Sequence, residues 1–196
     1  KDFKVAVEYY KQSAELENSD AIYSLGFCYE KGKGVHQNYT KSIELYQQSA
    51  KLGNSDALFR LGFCYELGIG VKQSNAKAIE YYQHSADLGN LDAMNKLGLF
   101  YEHGIEVKQS YTNAIEYYLQ SAEFGNSDAM NNLGVCYENG KGVKQNYKIA
   151  AEYYQQSANL GNSYSMYNLG RLYEDGKGVP QNYNKSVEYY QKAAEL

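Results

Sequence analysis

The sequence predicts an all-α fold, an α/α solenoid built from 36-residue helix–turn–helix repeats. A Leu-Gly pair recurs every 36 residues, and a Tyr-Glu pair follows it four residues later in every copy. An Asn recurs with the same period at a position that suits a helix N-cap. Fixed periods of this length are typical of stacked repeat arrays. The Leu-Gly pairs are Leu25-Gly26, Leu61-Gly62, Leu97-Gly98, Leu133-Gly134 and Leu169-Gly170.

The first helix of each repeat is delimited by its capping residues. In the copy that spans residues 54–89, Asn54 is expected to accept a hydrogen bond from an unpaired N–H of the first turn. The helix should continue to about Glu66. Gly68 then stands where a left-handed residue usually ends a helix.

The second helix begins after a short loop over residues 68–73. Ser74 is its predicted N-cap, and the equivalent position in the other copies carries Asn or Ser. Small and apolar residues then recur at spacings of three and four, the helical period, up to Gly89. Each repeat is therefore predicted to be a pair of helices.

The predicted organisation is one repeat array over residues 1–196. It comprises a lone second helix of a partial repeat over residues 1–17, then five helix pairs over 18–53, 54–89, 90–125, 126–161 and 162–196. The pattern starts midway through a repeat and without Met, so we expect the chain to be a fragment of a longer protein.

Composition excludes several classes of partner. There are 19 Lys and Arg residues against 23 Asp and Glu, a net charge of −4, which favours neither nucleic acid nor an anionic membrane. No apolar run reaches the roughly 20 residues that span a bilayer, and no leader segment is visible.

The cysteines favour a structural role. Cys28, Cys64 and Cys136 stand at equivalent positions, where the other copies have Phe100 and Leu172. A position filled by Cys, Phe or Leu needs an apolar side chain, so we expect buried free thiols rather than a disulfide or a metal site. Unpaired thiols favour a reducing, cytoplasmic compartment.

The repeats resemble the Sel-one-like repeat family, a branch of the tetratricopeptide-like α-solenoids. The shared pattern is A-x-x-x-L-G-x-x-Y-x-x-G-x-G-V, then N-Y-x-K-x-x-E-Y-Y-x-x-S-A-x-x-G-N, matched first by Ala21, Leu25-Gly26, Tyr29, Gly32, Gly34 and Val35. The resemblance implies a right-handed superhelix whose first helices line the concave wall. Two copies depart from the pattern, since Glu106 replaces a loop Gly and Ser165 replaces the opening Ala. A left-handed backbone at Glu106 would be strained.

The variable positions of the first helices form the candidate partner-binding surface, which we call the first-helix face. Positions kept in all copies are needed for stacking, whereas variable positions are free to be specific. At about 100° per residue, positions 24, 27 and 31 and their equivalents lie on one side of the helix. The candidate residues are Ser24, Phe27, Lys31, Arg60, Phe63, Leu67, Lys96, Leu99, His103, Asn132, Val135, Asn139, Asn168 and Arg171.

The centre of this face is an apolar row that ends in a cation. The row consists of Phe27, Phe63, Leu99, Val135 and Arg171, beside a polar, partly cationic row. Exposed apolar residues with a polar rim usually mark a partner site. The alternative is that these residues belong to the core of a tightly wound array.

Signals of catalysis or metal binding are weak. Ser74 and Lys77 fit the S-x-x-K pattern of penicillin-recognising enzymes, but the S-D-N and K-T-G elements that accompany it are absent. The three histidines occupy unrelated positions in the repeat, so no metal or other cofactor is predicted.

The leading functional hypothesis is a non-enzymatic scaffold or adaptor that holds a peptide or partner protein. A second hypothesis is a regulatory repeat segment of a larger signalling enzyme. A third is a self-associating array, because neither end carries an evidently polar capping helix and stacking faces would be exposed. A β-lactamase-like activity is a remote fourth.

Overall fold

The computed structural model describes residues 2–195, which contain eleven α-helices and no strand. The outermost residues of the predicted first and last helical segments, Lys1 and Leu196, lie outside this range. The helices are α1 (Phe3–Glu15), α2 (Ser19–Lys31), α3 (Tyr39–Lys51), α4 (Ser55–Leu67), α5 (Asn75–Asp87), α6 (Leu91–His103), α7 (Tyr111–Glu123), α8 (Ser127–Asn139), α9 (Tyr147–Asn159), α10 (Ser163–Asp175) and α11 (Tyr183–Ala194).

The chain forms two compact units. Unit 1 extends to Ala93 and unit 2 begins at Met94, so the boundary falls inside α6. In each unit, helices that follow one another along the chain pack in pairs, with α2 against α3 and α4 against α5 in unit 1, and α8 against α9 and α10 against α11 in unit 2. The predicted all-α class with a repeat of about 36 residues is confirmed.

The predicted helix caps are observed. The Asn54 side chain accepts a hydrogen bond from the backbone N–H of Ala57 at 2.8 Å, and Ser74 accepts one from Lys77 at 3.3 Å. Gly68 has a φ of 72° and donates its N–H to the carbonyl of Cys64, as a left-handed C-cap does. These contacts are local, which explains why the sequence predicts them well.

The loop with the unusual Glu106 keeps the backbone of the other copies. Glu106 has a φ of 57°, in the left-handed region where the equivalent glycines lie. The loop also retains the hydrogen bond from the N–H of Ile105 to the carbonyl of Phe100, at 3.0 Å. The substitution therefore adds backbone strain and leaves the turn in place.

A tyrosine ring packed on a glycine joins the two helices of each repeat. In unit 1, Tyr82 of α5 is fully buried against Gly62 of α4, and in unit 2 Tyr118 of α7 lies in the same way on Gly98 of α6. A glycine is needed at each of these positions, because any side chain would occupy the space of the ring. This contact explains why Leu-Gly recurs in every copy.

The cysteines are buried and free, as predicted. Cys28, Cys64 and Cys136 are at most 4% exposed, and Phe100 and Leu172 at the equivalent positions are buried as well. Burial raises the pKa of the Cys64 thiol to about 11. The thiolate is therefore scarce at neutral pH, and these side chains serve as small apolar fillers.

Within residues 2–195 no helix combines the length and the apolar character needed to cross a membrane.

Candidate partner-binding face

In unit 1 the first-helix face carries two aromatic rings with a cation between them. Phe27 of α2 and Phe63 of α4 are both half-buried. The guanidinium of Arg60 lies 5.6 Å from the centroid of the Phe27 ring and 5.0 Å from that of Phe63. Each contact is within the range of a cation–π interaction. The structure thus brings these three predicted residues together.

The same arginine also pairs with a buried carboxylate that sequence reasoning missed. Glu30 is only 2% exposed, and its Oε1 accepts a hydrogen bond from Arg60 at 2.5 Å. Its Oε2 accepts one from the hydroxyl of Tyr46 at 2.8 Å, and Lys31 lies 2.7 Å from Oε1. Arg60 therefore neutralises an acid of the preceding helix pair, and its charge is already used inside the protein.

This network gives unit 1 a pH-dependent contribution to stability. Burial by itself raises the pKa of Glu30, but the hydrogen bonds from Lys31, Tyr46 and Arg60 outweigh it and hold the pKa below the ordinary value of 4.5. A carboxyl with a lowered pKa in the folded state stabilises the protein above its unfolded pKa. That contribution is lost as the pH falls through the lower, folded value.

We therefore expect Glu30→Gln to flatten the loss of stability on acidification. Wild type should show a steeper fall in the urea-unfolding midpoint between pH 5 and pH 3 than the variant, since glutamine does not titrate. Glu80→Gln, which changes an exposed side chain of the same unit, is the control. Identical acid profiles for wild type and Glu30→Gln would contradict this account.

The remaining predicted residues of unit 1 lie at the edges of the face. Ser24 is half-buried, whereas Lys31 and Leu67, near the ends of α2 and α4, are exposed. The Nζ of Lys31 also approaches the Phe27 ring, at 5.8 Å from its centroid. The face of unit 1 is thus aromatic at its centre and cationic at the end of α2.

In unit 2 the apolar part of the first-helix face is aliphatic. Leu99 of α6 and Val135 of α8 are half-buried. Leu99 packs against the core cluster that includes Tyr118, and Val135 packs against the cluster that includes Tyr154. Each side chain therefore contributes to the core and keeps part of its surface in solvent.

Ion pairs with buried glutamates recur in unit 2. Arg171 donates to both carboxylate oxygens of Glu138, at 2.6 and 2.8 Å. Lys141 donates to Glu102 at 2.7 Å. The resulting hydrogen bond from Lys141, together with the one from Tyr118, outweighs burial and lowers the pKa of Glu102. The cation that ends the predicted apolar row is thus bound to an internal acid.

Amide pairs link successive first helices of unit 2. The Nδ2 of Asn132 donates to Oδ1 of Asn95 at 2.9 Å, and the Nδ2 of Asn168 donates to Oδ1 of Asn131 at 3.2 Å. Asn139 instead donates to the carbonyl of Val135 in its own helix. Of the other predicted residues here, Lys96 is half-buried and His103 is exposed.

A signal in the sequence could have revealed the buried glutamates. The Glu of each Tyr-Glu pair is followed 16 residues later by a tyrosine in every copy, and the structure shows that this tyrosine's hydroxyl donates to the glutamate. An acid kept in every copy beside an apolar helix position indicates a buried, satisfied carboxylate. The pairs are Glu30–Tyr46, Glu66–Tyr82, Glu102–Tyr118, Glu138–Tyr154 and Glu174–Tyr190. Of these glutamates Glu30, Glu102 and Glu138 are buried, Glu66 is half-buried and Glu174 is exposed.

The S-x-x-K pair has structural roles. Ser74 caps α5, and the Nζ of Lys77 lies 5.1 Å from the centroid of the Tyr65 ring. Over the described range, no three His, Cys, Asp or Glu side chains converge as metal ligands would.

Comparison with known proteins places these features in a family. A profile of the Sel1 repeat matches the chain six times, over residues 1–18, 19–54, 55–90, 91–126, 127–162 and 163–196. Comparison of the sequence with curated proteins yields no match.

Solved structures with the same fold include a Sel1 repeat protein from Oxalobacter formigenes, with 31% identity and a TM-score of 0.95 over 100% of this chain and 80% of that one. The protective antigen c5321 of uropathogenic Escherichia coli is 33% identical, with a TM-score of 0.88 over 100% of this chain. The present chain spans 42% of the length of that antigen. The immunity protein Pa5087 of Pseudomonas aeruginosa shares the fold at 24% identity, with a TM-score of 0.69 over 100% of this chain and 75% of that one.

Proteins with Sel1 repeats generally act as non-enzymatic scaffolds for protein–protein interaction. The 36-residue helix pairs and the sixfold profile match lead to one conclusion: this chain belongs to the Sel1 repeat family.

Proposed function

We propose that the chain is a non-enzymatic scaffold that binds a segment of a partner protein on its first-helix face. The observation that carries the proposal is the set of half-buried apolar side chains on that face: Phe27 and Phe63 in unit 1, and Leu99 and Val135 in unit 2. Partly exposed apolar groups with polar neighbours favour a partner that removes them from water.

Variation among the copies supports the same surface. The tyrosine on the glycine and the glutamate beside it are present in every copy and serve the core. The apolar row, in contrast, changes from aromatic in unit 1 to aliphatic in unit 2 and ends in a paired arginine. A surface that varies while its support stays constant suits recognition of different side chains by each unit.

Charge placed on this face should weaken binding strongly. Peptides are first selected on the wild-type chain from a random display library. Those held by unit 1 should bind about 30-fold more weakly to Phe63→Glu, and those held by unit 2 should bind about 30-fold more weakly to Leu99→Glu. The reason is that a carboxylate would replace the apolar contact at the centre of the face. Fluorescence anisotropy with labelled peptides measures the affinity.

The matched controls carry the same charge change on second helices. Gln48→Glu on α3 and Gln120→Glu on α7 alter exposed side chains away from the face and should leave affinity within about twofold of wild type. Circular dichroism should show that all four variants keep their helices. Equal loss in a face variant and its control, or no loss in either face variant, would refute the proposed surface.

A further inference from the structure

Each amide pair of unit 2 contains an asparagine at a position where the other copies have an aromatic ring. Asn95 and Asn131 stand where the other three copies have Tyr23, Phe59 and Tyr167. In those copies the ring packs on the core tyrosine of its own repeat, as Tyr23 does on Tyr46 with centroids 5.7 Å apart. In α6 and α8 an amide replaces that ring. A polar group at such a position is costly unless it is hydrogen-bonded.

The bonds that satisfy these inner amides come from the first-helix face. Asn132 donates to Asn95, which is 9% exposed, and Asn168 donates to Asn131. The hydroxyl of Ser165 also donates a hydrogen bond to Oδ1 of Asn131, at 2.9 Å. Each inner amide therefore fixes the orientation of one outer amide. We call Asn132 and Asn168 the amide row.

Each outer amide keeps hydrogen-bonding capacity. An asparagine side chain has two N–H donors and an oxygen that accepts two bonds. The single bond described for Asn132 uses one donor, and the same holds for Asn168. Both side chains are half-buried, so part of their surface remains in contact with solvent. One donor and one oxygen of each amide are thus available in the part of the chain that the structure describes.

This arrangement matches the main chain of an extended peptide. A peptide group offers one N–H and one carbonyl, the complement of a side-chain amide. Asn132 and Asn168 lie on successive first helices, α8 and α10, whose side chains hydrogen-bond to each other. Helices in side-chain contact lie about 8–10 Å apart, and an extended chain rises about 3.3 Å per residue, so the two amides would meet peptide groups about three residues apart. Val135 stands one helical turn after Asn132 on α8, and Leu99 holds the equivalent position on α6, so half-buried apolar side chains are available for the side chains of such a peptide.

We propose that the amide row of unit 2 binds the main chain of a partner segment in extended conformation, through Asn132 and Asn168. This rests on the proposed function of the first-helix face and adds the mode of recognition. Main-chain binding tolerates different sequences at the contacted residues, and specificity comes from the side chains that reach Leu99 and Val135. A partner helix is disfavoured, because its peptide groups already bond to one another.

The test uses peptides that are selected on the full chain and that Leu99→Glu binds about 30-fold more weakly. Each main-chain N–H is removed in turn by N-methylation, which leaves the protein unchanged. We expect two sensitive positions about three residues apart, each with up to tenfold weaker binding. Asn168→Ser should remove the sensitivity at one of them and keep it at the other, and Asn132→Ser should do the reverse. Asn184→Ser, an exposed change on α11, should keep both.

The outcomes separate this inference from the proposed function. Peptides that depend on Leu99 but tolerate N-methylation everywhere would refute the amide row and leave the surface in place. Sensitivity that persists in both Asn variants would also refute it, since the N–H groups would bond elsewhere. If selection yields no peptide that depends on Leu99, the proposed surface of unit 2 fails, and the inference fails with it.

Discussion

Replacing Gly62 with alanine is expected to destabilise unit 1 by about 3 kcal/mol, although alanine is normally the better helix former by about 1 kcal/mol. A Cβ at this position would lie 2.7 Å from both Cδ1 and Cε1 of Tyr82, far inside van der Waals contact. The ring is fully buried and its hydroxyl is bonded to Glu66, so it has no space to move. Urea unfolding followed by circular dichroism measures the effect.

Gly89→Ala is the control for this prediction. Its Cβ would have no atom within 4 Å, but its φ of 86° is unfavourable for alanine. We expect a loss of about 1–2 kcal/mol from backbone strain alone. A Gly62→Ala variant as stable as wild type, or more stable, would show that the tyrosine does not fill the space above the glycine.

Replacing Arg60 with methionine is expected to cost about 3 kcal/mol, because it removes the guanidinium from a carboxylate that is 2% exposed. Methionine keeps most of the apolar stem between the two phenylalanine rings, so the loss reports chiefly on the ion pair. The free energy of unfolding, again from urea titration, is the quantity to measure.

A double-mutant cycle isolates the pair. Glu30→Gln removes the buried charge and keeps an oxygen for the Tyr46 hydroxyl, so the double variant Arg60→Met/Glu30→Gln should be more stable than the sum of the single losses predicts. We expect a coupling energy of about 1–3 kcal/mol. Additive losses would mean that Arg60 acts only through its contacts with the rings. Because an Arg60 variant is also expected to lose stability, a loss of peptide binding in it would not test the face by itself. Substitutions at Phe63 and Leu99 are therefore the better test of the face.

Much of the fold could be predicted because its determinants are close in sequence. Asn54 caps a helix by bonding an N–H three residues away, and Gly68 ends it by bonding a carbonyl four residues back. Repetition then shows which positions matter, since Leu-Gly and Tyr-Glu recur in all five copies. The helix bounds, the all-α class and the buried free cysteines follow from such local patterns.

The hydrogen-bond partners of the cationic side chains could not be predicted in the same way. Arg60, Arg171 and Lys141 stand at three different positions of the repeat, yet each bonds to the glutamate of the preceding helix pair, 30, 33 and 39 residues away. Long, flexible side chains can reach one carboxylate from several backbone positions. Sequence periodicity therefore does not show which of them will do so.

The sequence by itself determined the repeat, its helices and the face that varies between copies. Only the tertiary structure decided which residues of that face are already used inside the protein. Arg60 and Arg171 neutralise buried acids, and Asn132 and Asn168 are oriented by inner amides. The physical reason is that these contacts form between stacked helices more than 30 residues apart in most cases, where side-chain length and packing decide the partner.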